Sequence, residues 1–285
     1  MESGKTDVRE FWDRAACGEE LYLTSVTSDG YAGQAARRYE LEPYIVPFAD
    51  FKRWAGRRVL EVGVGLGADH QRFAEAGAEL WGIDLTEQAV RHTARRLELF
   101  GLQSTLATGD AENLDFPDNS FDLVYSWGVI HHSPDTGRAA REIMRVLRAG
   151  GEFRVMVYNR HSMIGLMLWL RYALFAGRPL RALDDVYAHH LESPGTKAYT
   201  REGAALLFQG GRAAHRNGAH PRRSSGGRRG PTASRIAPVG RAPAVAPRAH
   251  PGPVPDGGPF HADQRPQTWR RVSGLRRERR SAQHG

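Results

Sequence analysis

Gly63, Gly65 and Gly67 alternate directly after the short apolar run Val59–Val62, with Glu61 two positions ahead of the first. Glycine has no side chain to crowd a ligand and reaches backbone angles closed to other residues. The stretch 68–76 that follows has helical character, so its free N–H groups face back toward the same turn. A strand, a bare loop and a helix start together make a place where a nucleoside-bearing cofactor can rest on backbone. Asp84 stands 21 residues beyond Gly63, close to the interval of ~20 at which an acidic side chain reaches a cofactor ribose. Its carboxylate can accept from both ribose hydroxyls; the alternative is that it ends a strand or caps the next helix. His131 and His132 have an unperturbed pKa of ~6.5, which suits proton removal from an acceptor at neutral pH. The alternative has one of them tying down its loop while the other faces solvent.

Hydrophobic periodicity supplies the frame for these groups. Glu79–Asp84 reads as a second strand, and Thr86 as the cap of a helix over Glu87–Phe100 in which Val90, Thr93, Leu97 and Phe100 share one face. Ser104–Thr108 reads as a third strand and Leu123–Ser126 as a fourth. Ala139, Ile143, Val146 and Leu147 stripe a further helix, with Gly150 and Gly151 as its stop and Glu152–Val157 as a fifth strand. Strands alternating with helices at this spacing predict an α/β fold with a Rossmann-like, doubly wound, mostly parallel sheet. Such sheets bind ligands beyond the carboxyl ends of their strands. Glu61, Asp84, Asp110 and Trp127 all fall there.

Five pieces in this order carry a resemblance: Glu61 with Gly63, Gly65 and Gly67; Ile83-Asp84; Gly109-Asp110-Ala111; Phe116-Pro117 with Ser120-Phe121-Asp122; and Arg145 to Gly151. Over roughly Arg57 to Val157 the chain resembles the class I S-adenosylmethionine-dependent methyltransferases, in the broad group that includes the ubiquinone and menaquinone biosynthesis methyltransferases. The resemblance implies S-adenosyl-L-methionine as methyl donor, with the glycine loop along its methionine part and ribose and Glu61 near its amino group. It implies Asp84, with Leu85 beside it, at the ribose hydroxyls, Asp110 and the Ala111 N–H at the adenine, and Ser126 and Trp127 along the methionyl side. His131 and His132 then stand near the transferred methyl as candidate bases. A nicotinamide (NAD) oxidoreductase is a rival reading, because Gly63, Gly65 and Ala68 also fit the dinucleotide pattern. Against it, Glu61 and Asp110 have no task there, and the chain offers no second catalytic domain with a placed proton donor.

The flanks are expected to choose the acceptor, a small-molecule or lipid-like compound. The N-terminal helical segment over 1–56 is aromatic, with Phe11, Trp12, Tyr22, Tyr31, Tyr39 and Tyr44, and reads helical over Ala32–Leu41; it is expected to form a lid over the cofactor, the alternative being that its aromatics serve packing. A helical acceptor-side segment over 159–209 contains the apolar run Met163–Phe175, interrupted by Arg171. That run is too short for a bilayer, which needs ~20 residues. It fits a buried helix, a wall for an apolar acceptor, or contact with a membrane surface. Thr200 is expected to cap a last helix.

Composition changes near Gly210. From there to Gly285, 76 residues hold 16 Arg, 10 Pro, 12 Gly, no Lys and three acids, a balance of +13 against +8 for the whole chain. The basicity therefore belongs to the tail, and with few large apolar groups to offset ordering entropy the tail is expected to be disordered. Its guanidinium groups also allow a nucleic-acid-binding reading, though no firm nucleic-acid partner follows. Arg, Gly, Pro and Ala without Lys is moreover what a GC-rich coding region yields out of frame. A frameshift after about Phe208 would leave the sheet lacking its last two strands, with an unpaired edge; the product could then bind cofactor without activity. Cys17 is the only cysteine, so no intramolecular disulfide forms and no cysteine-based metal site is suggested. A cytoplasmic location is expected, with no transmembrane segment. Neither the methyl acceptor nor the oligomeric state is read from these residues.

Overall fold

The computed structural model describes residues 2–14, 18–209, 235–238 and 270–272. The chain opens with helices α1 (Glu2–Arg14), α2 (Glu19–Tyr22), α3 (Ser28–Leu41) and α4 (Ile45–Ala49), then a 3-10 turn over Phe51–Trp54. The alternating part follows as β1 (Arg58–Val62), α5 (Ala68–Glu75), β2 (Glu79–Asp84), α6 (Glu87–Leu99), β3 (Ser104–Thr108), β4 (Phe121–Trp127), α7 (Thr136–Val146) and β5 (Leu147–Val157). Next come α8 (Met163–Trp169), which runs into a π-helical turn over Leu170–Leu174, then α9 (Leu183–His190) and α10 (Arg201–Leu207). Two short strands, β6 (Arg235–Pro238) and β7 (Arg270–Val272), complete the sheet.

Strand order is β6-β5-β4-β1-β2-β3-β7, and every pairing from β6 to β3 is parallel. This is the α/β Rossmann-like sheet expected from the alternation. β4 is buried along its whole length, as a central strand covered on both faces must be. One face packs α7 through Ala139, Ile143 and Val146 against Leu60, Val124 and Val155. The other face carries Val59, Leu123 and Tyr125 under Phe73 of α5, together with Ile45, Phe51 and Trp54. Part of the N-terminal segment is thus core.

Thr86 and Thr200 cap α6 and α10 as expected, accepting from the Ala89 and Gly203 N–H groups. Two expectations need amending. The helix striped by Ala139 and Ile143 ends at Val146; Leu147 is extended and pairs with Phe121, so Gly150 and Gly151 lie within β5. The sheet also has seven strands, not five. β6 pairs in parallel with Arg154–Val157, and β7 runs antiparallel to Ser104–Leu106. Both edges would otherwise present unpaired N–H and C=O groups, and Pro238 is tolerated because it lies on an edge strand. The rest of the expected disordered tail lies outside the described residues.

Arg96 fixes the N-terminal helices to the sheet. It is wholly buried and donates to Gln71 Oε1, Gln34 Oε1, Leu66 O and Tyr31 O at 2.6–2.9 Å. Burial pulls its pKa down to about 10. One side chain of α6 thereby joins α3, α5 and the end of the glycine turn.

Candidate cofactor and acceptor site

β1 delivers the chain into the glycine turn, and the Gly63 and Val64 N–H groups both donate to Ile83 O, at 2.8 and 3.2 Å. This pins the turn to the carboxyl end of β2. Gly63 has φ +85°, and a Cβ there would come within 2.1 Å of Val129, so the position admits only glycine. At Gly65 a Cβ would meet nothing within 4 Å. The turn therefore leaves bare space above Gly65, while its N–H donates to Asp84 Oδ2 at 3.1 Å.

Asp84 Oδ1 accepts from the Thr86 N–H and hydroxyl, both at 3.0 Å. Of the two sequence readings of this residue, the structure shows the one in which it ends a strand and holds the start of the next helix. Asp84 ties the glycine turn to the start of α6, and its carboxylate still has acceptor capacity, since two carboxylate oxygens offer about four sites. Burial raises its pKa in spite of these hydrogen bonds. Leu85 and Thr108 line a cavity of about 320 Å³ beside it, roofed by Arg9 and Asp13 of α1 and flanked by Glu87 and Arg91 of α6.

Glu61 faces elsewhere. Its carboxyl lies 2.8 Å from His70 Nδ1, and His70 Nε2 lies 2.7 Å from Ser104 Oγ, which donates its one proton to Leu80 O. Nε2 must then carry hydrogen. Burial drives the His70 pKa down to about 3 and raises that of Glu61, so the imidazole is neutral and Nδ1 accepts from a protonated Glu61. The pair is a neutral tie joining β1, α5 and β3. Gly82 is required beneath it, because a Cβ there would sit 2.6 Å from His70 Cε1. Glu61→Gln retains the donor and should be tolerated, whereas Glu61→Ala should cost about 1–3 kcal/mol by stranding His70. Above pH ~4.5 the unfolded chain releases the Glu61 proton while the native chain keeps it, so native stability falls with rising pH by up to ~1.4 kcal/mol per unit from this group. Glu61→Gln should therefore gain on the parent as pH rises toward neutrality in urea titrations. A stability difference that ignores pH would contradict the neutral pair.

Asp110 Oδ2 accepts from Lys5 Nζ at 2.6 Å and Oδ1 from the Glu112 N–H at 2.8 Å, with Ala111 half-buried between them. Lys5 also reaches Glu112 at 2.7 Å. Burial opposes charge on Glu112, but Lys5, the Ser133 hydroxyl and the Asp135 N–H more than offset it and hold its pKa low. Glu112 thus clamps the loop that carries the two histidines. On β4, Ser126 Oγ is buried with no hydrogen-bond partner, while the buried Trp127 indole interacts with the Glu42 carboxyl. Trp127 is walled by Tyr44, stacked at 5.8 Å, and by Phe48 at 5.4 Å.

Neither histidine faces solvent. His131 is fully buried, neither ring nitrogen has a partner, and burial lowers its pKa well below the usual value. His132 Nδ1 lies 2.8 Å from Ser193 Oγ and 2.9 Å from Thr196 Oγ1, and its Nε2 lies 3.4 Å from Glu192. It therefore ties its own loop to residues 192–196, while Trp12 of α1 meets its ring edge-on at 5.3 Å.

Sequence reasoning missed three residues. Asp69 accepts from Arg38, Tyr39 and Tyr125 at 2.9–3.0 Å, joining α3 to the first turn of α5; its place in that turn was the available signal. Glu112 follows directly on Gly109-Asp110-Ala111 but carries no signal of its own in the sequence. Lys5 had no local signal, because only the fold brings α1 over Asp110.

The methyltransferase domain family matches residues 60–155. Sterol 24-C-methyltransferase of Yarrowia lipolytica is 39% identical over 103 residues, covering 35% of this chain and 27% of that protein. Phthiotriol/phenolphthiotriol dimycocerosates methyltransferase 1 of Mycobacterium ulcerans is 41% identical over 133 residues, 46% of this chain and 47% of that one. The 2-methyl-6-phytyl-1,4-hydroquinone methyltransferase of Synechocystis is 32% identical over 148 residues, 49% and 46% of the two chains. The chain spans about a quarter to a half of the length of these relatives.

Proposed function

We propose, on the premise that residues 60–155 form a class I S-adenosylmethionine-dependent methyltransferase domain, that the protein transfers the methyl group of S-adenosylmethionine to a small, apolar or lipid-like acceptor. The observation that carries this is the open space over Gly65 beside a carboxylate already oriented by the Gly65 and Thr86 N–H groups. The residues present fit the cofactor: Asp84 has acceptor capacity for ribose hydroxyls, and Ser126 Oγ is a buried polar atom still without a partner. When bound, the cofactor supplies a methyl group on a sulfonium, already a good leaving group. What remains for the protein is to align the acceptor and exclude water. Tyr44, Phe48 and Trp127 make a dry wall for that purpose.

His131 is the candidate base. Burial keeps it neutral with one unshared ring lone pair, and the same burial makes it a weaker base than a free imidazole, so it suits an acceptor whose own proton is already acidic. His132, held by Ser193, Thr196 and Glu192, positions that loop. Names of the relatives, which include a sterol and a phytyl-hydroquinone methyltransferase, support an apolar acceptor.

Lys5 occupies the Asp110 oxygen that an adenine amino group would use. Because the pair is partly exposed, displacing it costs on the order of 0.2–1 kcal/mol. Lys5→Ala should accordingly bind S-adenosylhomocysteine about two- to fivefold tighter; weaker binding would make Lys5 part of the cofactor site. The proposed activity is tested by incubating the full chain with labelled methyl donor and apolar metabolite extracts. Label in the organic phase that depends on Asp84 is expected, and no transfer to any fraction would count against the activity.

A further inference from the structure

The segment after β5 turns an apolar stripe outward. Met163, Leu166, Met167 and Leu174 recur at helical spacing along α8 and its π-helical turn, and all are exposed; Phe175 is 80% and Leu180 98% exposed. The opposite face is the one that packs. Gly165 lies so close to Tyr187 that a Cβ would fall 1.7 Å from its hydroxyl oxygen, Ala173 is buried, and Trp169 Nε1 donates to Arg181 O at 3.1 Å. The exposed stripe is therefore held in place by close packing behind it, with α9 as its support. Contiguous exposed apolar side chains of this kind mark an interaction surface.

Charge identifies what covers it. From Arg160 to Leu183 the chain carries four Arg and no acid. Arg160 and Arg181 pair with Asp184 and Asp185, which leaves Arg171 and Arg178 exposed beside the stripe. A second copy of this face would set like charges against each other, and so would the chain's own +13 tail. Among the described residues no helix is long and apolar enough to cross a membrane. Apolar side chains interleaved with Arg on one helix face instead suit lying in the interface of a bilayer with anionic headgroups.

We propose that the outer face of α8 and the turn after it docks the protein on an anionic phospholipid surface, with Leu166, Met167, Phe175 and Leu180 entering the acyl boundary and Arg171 and Arg178 at the headgroups. The same segment leads through α9 to Ser193 and Thr196, which hold His132. The docked face is thus joined to the acceptor side of the site. Docking is independent of methyl transfer and needs neither cofactor nor acceptor.

The test is co-flotation of the full chain with vesicles of phosphatidylcholine alone or mixed with phosphatidylglycerol, at low and high salt. The parent should float with the mixed vesicles and remain partly bound at high salt, because the apolar contact is not screened. Phe175→Asp with Leu180→Asp should lower the high-salt fraction at least about tenfold with an unchanged circular dichroism spectrum and unchanged S-adenosylhomocysteine binding. Arg171→Gln with Arg178→Gln should weaken binding several-fold at low salt. The proposal is overturned if the parent does not float. It is equally overturned if the apolar variant floats as well as the parent, which would assign binding to the tail. Loss of an oligomer in the apolar variant with no flotation by the parent would assign the face to a second copy instead.

Discussion

Asp84→Ala is expected to weaken binding of S-adenosylmethionine and S-adenosylhomocysteine alike by roughly 10²-fold or more, while the protein stays folded. Two charge-assisted hydrogen bonds to ribose hydroxyls, at ~1.5–3 kcal/mol each, set that scale. The substitution also releases the Gly65 N–H and the start of α6, which Asp84 now holds together. Asp84→Asn keeps one acceptor oxygen and should fall between, at roughly tenfold. Isothermal titration on both variants checks this. Full affinity in Asp84→Ala would reduce the residue to a structural tie.

Arg96→Met should destabilise the fold by about 3–5 kcal/mol, because four buried acceptors lose their donor at once. The loss should free α3 and the end of the glycine turn, so protease cleavage within 28–41 is expected to precede global unfolding. Arg96→Lys should recover only part of the stability, since an ammonium cannot match the forked geometry that reaches Gln34, Gln71, Leu66 and Tyr31. Urea denaturation of the two variants reads the difference directly. A cost below about 1 kcal/mol for Arg96→Met would mean these helices are held by other contacts.

How far the sequence carries is visible in individual residues. The strands around Gly63 and Asp84 were legible because short apolar runs, a glycine turn and a threonine cap each act locally. The helix stop at Val146 was not, because Leu147 leaves the helix to pair with Phe121, a partner distant in the chain. The strands at Arg235–Pro238 and Arg270–Val272 were equally hidden, since their composition reads as a polar tail and only the open sheet edges give them a role. Within the site, Asp84 was placed correctly at the end of β2 from spacing alone. The partner of Glu61 was not, because nothing local links it to His70 or Ser104. The same holds for Lys5 on Asp110 and for Arg38 and Tyr39 on Asp69, where helices of the N-terminal segment meet the sheet through tertiary packing.

The central claim is that the crevice above Gly65 accepts an adenosyl-methionine ligand. Calorimetric titration of the full chain with S-adenosylhomocysteine, with NAD as the competing probe, tests it most directly. The account predicts one-to-one uptake of S-adenosylhomocysteine that NAD does not displace. No heat with a folded protein, or preferential uptake of NAD, would contradict it.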